Sequence, residues 1–116
     1  MAESNGEVTR TVLVAQREGQ DQAFVRSLLS TFGDYQVVEA GSAAQIIRGL
    51  VHGPELILVD VQIPGNFLRA VELMRRIPKL NHVAIAVLSG DHAQATRCRG
   101  KGFNGFIPKP FKAESL

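Results

Sequence analysis

The run Leu56-Ile57-Leu58-Val59 places four apolar residues in succession after Pro54-Glu55 and ends in one carboxylate, Asp60, with Pro64-Gly65 close behind. A half-wet strand alternates apolar and polar side chains, whereas a strand apolar at every position must be covered on both faces, as in the centre of a parallel sheet. Ligands and chemistry in open α/β sheets collect just beyond the carboxyl ends of such strands. Asp60 stands at that end and is the leading candidate for a functional residue.

The flanking sequence supplies the remaining layers. Thr11-Val12-Leu13-Val14-Ala15 reads as a first strand, Gln16 to Gln20 as a polar loop, and Asp21 as the cap of a helix carrying Phe24, Val25, Leu28, Leu29 and Phe32 at helical spacing. Tyr35-Gln36-Val37-Val38-Glu39 follows as a second strand. Ser42 caps a second helix that carries Ala43, Ala44, Ile46, Ile47, Leu50 and Val51 and stops at Gly53-Pro54.

Beyond the Asp60 strand, residues 67–77 form a third helix, with Leu68, Val71, Leu73, Met74 and Ile77 expected inward and Arg69, Glu72, Arg75 and Arg76 outward, until Pro78 stops it. Val83-Ala84-Ile85-Ala86-Val87-Leu88 is a fourth strand, residues 91–99 a shorter helix, and Phe106-Ile107 a brief fifth strand before Pro108-Lys109-Pro110. Residues 111–116 read as the start of a fifth helix. Strands alternating with helices through short loops predict an α/β fold, a flavodoxin-like (βα)5 three-layer sandwich with a parallel sheet in the order 2-1-3-4-5 and its last helix truncated or missing.

Length and composition set bounds on function. At 116 residues and 45% hydrophobic content the chain fits one small domain, here residues 11–116, behind a flexible polar leader at 1–10. No stretch reaches the ~20 apolar residues of a membrane helix, and the leader lacks the apolar core of a secretory signal. Cys98 is the single cysteine, which excludes an intrachain disulfide and a cysteine cage for a metal; the expected location is the cytoplasm. Lys and Arg (13) exceed Asp and Glu (11) by 2, too little to argue for direct nucleic-acid binding. His52, His82 and His92 lack metal-ligand spacing, and Arg97, Arg99 and Lys101 fit a solvated helix end, with a surface for an acidic partner as the alternative.

The predicted strand order brings Gln16-Arg17, Asp60, Ser89 and Lys109 to one edge of the sheet. A carboxylate nucleophile, a hydroxyl donor and a cation suit formation of a transient acyl phosphate. With these residues in place, the chain resembles the receiver domain of two-component response regulators: Val12-Leu13-Val14 is similar to the first strand, Leu56 to Asp60 to the phosphoacceptor strand, Ile63-Pro64-Gly65 to the loop after it, Leu88-Ser89-Gly90 to the hydroxyl turn, and Gly102 through Lys109-Pro110-Phe111 to the closing motif. The resemblance implies that Asp60 is the phosphoacceptor, that Ser89 and Lys109 contact the phosphoryl group, and that Phe106 is the switch aromatic.

Two departures qualify that resemblance. Receivers carry an adjacent acidic pair after the first strand that helps hold Mg²⁺, and here Gln16-Arg17 stands there, with Glu18 one step late. An amide and a guanidinium shift the local charge toward positive, so Mg²⁺ binding is expected to be weak or absent and no other cofactor is implied. Arg17 either substitutes as a cation toward Asp60 or points to solvent. After Pro64 the chain reads Asn66-Phe67-Leu68 where an acidic-Gly step is usual, with Phe67 either in the core or over the pocket.

Three functions follow. The first is a degenerate receiver, not an enzyme, that regulates an output domain or a protein partner. The second is a working receiver phosphorylated on Asp60 by a histidine kinase or phosphotransfer protein. The third is a haloacid-dehalogenase-like phosphohydrolase, whose second acid would fall at Gln62. If the chain ends where its last helix begins, the apolar surface there calls for the rest of that helix and an output domain, or for a homodimer.

Overall fold

The computed structural model describes residues 10–17, 27, 31, 35–89 and 92–108. Its five strands, β1 (Arg10–Ala15), β2 (Tyr35–Ala40), β3 (Leu56–Asp60), β4 (Ala84–Ser89) and β5 (Gly105–Pro108), form one parallel sheet in the order β2-β1-β3-β4-β5. This is the expected order. Of the expected helix before β2 only Ser27 and Thr31 are described, both helical, and Arg10 of the expected leader opens β1; the rest of that helix, residues 1–9 and residues 109–116, including Lys109, lie outside the described residues.

β3 sits between β1 and β4 and is buried on both faces: Ile57, Leu58 and Val59 are each 1% exposed or less. Strand alternation divides the core. Leu13, Ala15, Ile57, Val59, Ile85 and Val87 face one layer, and Val12, Val14, Leu58 and Leu88 the other. Three helices are described: α1 (Ala43–Gly49), α2 (Phe67–Arg75) and α3 (His92–Cys98). Ala43, Ile46, Phe67, Val71, Met74 and Cys98 bring them onto the first face.

Each helix start has a local cause. The Ser42 hydroxyl accepts from Gln45 N at 3.2 Å, while Gln45 Oε1 reaches back past the cap and accepts from Gly41 N at 2.6 Å, a close relative of the capping box. Asn66 Oδ1 accepts from Arg69 N at 3.0 Å. α1 tightens into a 3₁₀ turn at Leu50–His52 and ends at Gly53, whose φ of 63° suits the absence of a Cβ.

The structure corrects the expected inner face of the third helix: Leu73 (40%) and Ile77 (45%) are exposed. On α1, Ala44, Ile47 (42%) and, in the turn after it, Val51 (84%) are exposed too, because each helix buries a narrower stripe than its apolar residues span. α2 also ends at Arg75 rather than at Ile77.

Arg75 turns inward instead of outward. Its guanidinium donates to the carbonyls of Gly102 (2.9 Å), Asn81 (3.0 Å) and Val83 (2.7 Å), and to Asn104 Oδ1 (2.8 Å), which also accepts from Ile85 N. One side chain thereby ties the segment before β4 to the segment before β5. Burial lowers the Arg75 pKa, and these acceptors compensate the lost hydration. Arg75→Met should cost about 2–3 kcal/mol, since half-buried carbonyls lose a charged donor. Arg75→Lys should recover less than half, because an ammonium cannot reproduce the planar fork. Urea unfolding midpoints check both.

Candidate functional site

Parallel pairing brings the carboxyl ends of all five strands to one edge, and Asp60 closes the central one. It is 1% exposed, and its Oδ1 accepts from Gln62 N at 2.8 Å, which holds the carboxylate against the loop that leaves the strand. That loop is tied down by Ile63 N on Asp60 O (3.1 Å) and Val61 N on Leu88 O (3.2 Å). Asp60 pairs with Leu88, so Ser89, also 1% exposed, stands one position further along β4.

Gln16 lies at the same edge. The β1 to β3 register ends at Ala15 opposite Val59, so Gln16 and Asp60 are the next residues on neighbouring strands about 4.8 Å apart. Both continue the alternation that puts Val14 and Leu58 in one cluster. Gln16 N donates to Ala40 O at 3.0 Å, yet the side chain is 5% exposed and neither of its amide atoms has a hydrogen-bond partner among the described residues. Arg17, the next residue, is exposed.

Phe106 is placed differently. It sits on β5 opposite Val87, is 37% exposed, and with Thr96, Cys98, Arg99 and Phe103 lines a cleft of about 290 Å³ between α3 and the edge strand. Burial raises the Cys98 thiol pKa, partly offset by Arg97, so the thiol stays protonated and weakly nucleophilic near neutral pH. Phe67 belongs to the core: it is 5% exposed and meets Phe103 edge to face, with ring centroids 6.1 Å apart. Sequence reading thus assembles Gln16, Asp60 and Ser89 at one edge. It gives no signal for the unpaired amide, since only three-dimensional burial separates that from a solvated glutamine.

A hard divalent cation takes carboxylate and carbonyl oxygens and usually keeps several waters. The described edge offers one carboxylate, Asp60, already engaged through one oxygen, beside the neutral Gln16 amide and the Arg17 cation. No group of three or more His, Cys, Asp or Glu able to hold a metal ion occurs among the described residues, and Glu18 lies outside them. Among the described residues that leaves one carboxylate, at the lower end of the one or two through which Mg²⁺ is usually held.

The family model of the response regulator receiver domain matches residues 12–116. No curated protein matches the chain. Among solved structures, the chemotaxis response regulator CheY4 of Vibrio cholerae superposes with a TM-score of 0.78 at 19% identity, over 93% of this chain and 92% of that one. A putative response regulator from Chloroflexus aurantiacus gives 0.80 at 21% identity, over 93% and 91%. The receiver domain of a sensor histidine kinase from Pseudomonas aeruginosa, solved with magnesium in its active-site cleft, gives 0.79 at 24% identity, over 94% and 92%. At these identities the structures speak for the fold.

A buried, unpaired amide costs roughly 1–3 kcal/mol. Gln16→Met, close in shape and apolar, should therefore stabilise the domain by about 1 kcal/mol or more, seen as a rise of roughly 4–8 °C in Tm per kcal/mol. A fall in Tm would mean that the amide has a partner.

Proposed function

The chain belongs to the response regulator receiver domains, and from that premise we propose that it is a degenerate signalling module of a two-component or phosphorelay pathway. It regulates an output domain or a separate protein by contact, with weak or no Mg²⁺-dependent phosphorylation. The observation that carries this reading is the buried Gln16 amide next to Asp60, without a hydrogen-bond partner among the described residues. An uncharged side chain there removes the carboxylate density that would draw in a divalent cation, and Arg17 beside it adds repulsion.

In this proposal Asp60 remains at the phosphoacceptor position, Ser89 and Lys109 are its hydroxyl and ammonium partners, Phe106 is the switch aromatic, and Gln16 and Arg17 replace the metal-binding acids. The module works by binding rather than turnover. Its setting is the cytoplasm, where a histidine kinase or phosphotransfer protein would be its upstream contact; no described helix is long and apolar enough to cross a membrane.

The second reading, a working phosphoacceptor, draws on the same edge. Asp60 is buried at the end of the central strand with Ser89 one position beyond its partner Leu88. In that reading Arg17 supplies the positive charge through a charge-assisted contact.

Acetyl phosphate and beryllofluoride, each with and without Mg²⁺, separate the two. The degenerate reading expects an unchanged intact mass and a Tm that does not respond to Mg²⁺, while the double variant Gln16→Asp, Arg17→Asp gains a Mg²⁺-dependent rise in Tm. Stoichiometric Mg²⁺-dependent labelling of the native chain, abolished by Asp60→Asn, would sink it.

A further inference from the structure

β5 is the last strand of the sheet, and α3 packs over its neighbour β4. Phe106 pairs with Val87, so both side chains point to the face that α3 covers. Val87 is 1% exposed and Cys98 3%, whereas Phe106, one strand further out, is 37% exposed. Between them lies the cleft of about 290 Å³, with the buried Val87 and Cys98 at its base and Phe103 and Phe106 lining it.

One wall of this cleft is fixed from behind. After α3, Arg99 N donates to Thr96 O and Lys101 N to Cys98 O, both at 3.1 Å, and Gly100 and Gly102, at φ of 75° and 99°, turn the chain toward β5. Arg75 then holds Gly102 O and Asn104 Oδ1, Asn104 N donates to Ile85 O at 2.7 Å, and the Phe103 ring meets Phe67 edge to face. A wall already in place need not be ordered when a ligand arrives, which removes one cost of binding.

The polar groups at the cleft select the charge of its occupant. Arg99 is the one charged residue lining it among the described residues; it is exposed and makes no ion pair or side-chain hydrogen bond with any of them. Asn104 Oδ1 accepts from Arg75 and from Ile85 N, which fixes the amide and leaves its Nδ2 as a donor. Both uncommitted groups are donors, so they suit an anionic acceptor, and the planar fork of Arg99 matches a carboxylate. Two phenyl rings suit a flat apolar body in offset or edge contact. The volume stands at the lower end of the roughly 300–1,000 Å³ of ligand sites, which limits that body to about one ring.

We infer that the cleft binds a small aromatic carboxylate, its ring against Phe103 and Phe106 and its carboxylate on Arg99, with Asn104 Nδ2 as the second donor. Bound there, the ligand covers an aromatic side chain that the sheet edge leaves in water. Such a site gives the domain an input that does not pass through Asp60, so this inference and the phosphate-mimic test fail separately.

The test titrates phenylacetate into the full chain and follows amide NMR shifts. Saturable shifts should centre on Arg99, Phe103, Asn104 and Phe106, with a Kd of about 1 mM or tighter for a ligand of this size. Phenylacetamide, which keeps the ring and lacks the charge, should bind at least about tenfold more weakly. Phenylacetate should lose at least about as much against Arg99→Gln, whose unfolding midpoint stays native because the side chain is exposed, and against Phe106→Ala. Arg97→Gln, a neighbouring cation that does not line the cleft, should bind as the native chain does. No saturation by about 10 mM, shifts centred elsewhere, equal affinity for the neutral amide or full affinity in Arg99→Gln would each overturn the inference.

Discussion

Because successive side chains of a strand point to opposite faces, β3 can satisfy Ile57, Leu58 and Val59 only by having cover above and below and a paired strand on each side. Parallel pairing follows from crossovers that return each chain segment across a face, and it aligns the strand ends at one edge. The depth at which Asp60 is buried is thus a by-product of the central position of its strand. So is the burial of Gln16, which stands beside it at the end of β1.

The two edges of the sheet are built by opposite rules. At the edge where β4 and β5 begin, Arg75 and Asn104 bond to backbone groups of both connections and to each other, which pins them. At the edge where the strands end, Gln16 is buried with both amide atoms unpaired among the described residues, so they leave its polar capacity unspent next to Asp60. Unsatisfied groups are costly in a low-dielectric interior, and their concentration at the carboxyl edge fits a site whose arrangement is not set by stability alone.

Much of this was legible in the residues. The apolar run ending at Asp60, the Ser42 cap, the breaks at Gly53-Pro54 and Pro78, and the alternation of strand and helix patterns led to the observed sheet order, and Asp60 and Ser89 to its carboxyl edge. Helical spacing was less informative about width. Periodicity shows that Ile47, Val51, Leu73 and Ile77 share a side with core residues, but burial on that side depends on how far the neighbouring helix stands away. Val51 lies in a 3₁₀ turn, where the 3.6-residue period no longer applies. Arg75 looked like one more outward cation, because the carbonyls it collects come from segments that become neighbours only after β4 and β5 pair.

By itself the sequence determined the α/β class, the strand order, the place of Asp60 at a strand end and the amide and guanidinium of Gln16-Arg17 after the first strand, since these depend on local patterning and on which residue types are present. Tertiary structure decided which polar groups found partners. It buried Gln16 without any among the described residues, gave Arg75 several, and held the starts of α1 and α2 together while leaving Ile47, Val51, Leu73 and Ile77 exposed. Hydrogen-bond satisfaction and helix separation are distances between segments far apart in the chain, and no one segment encodes them.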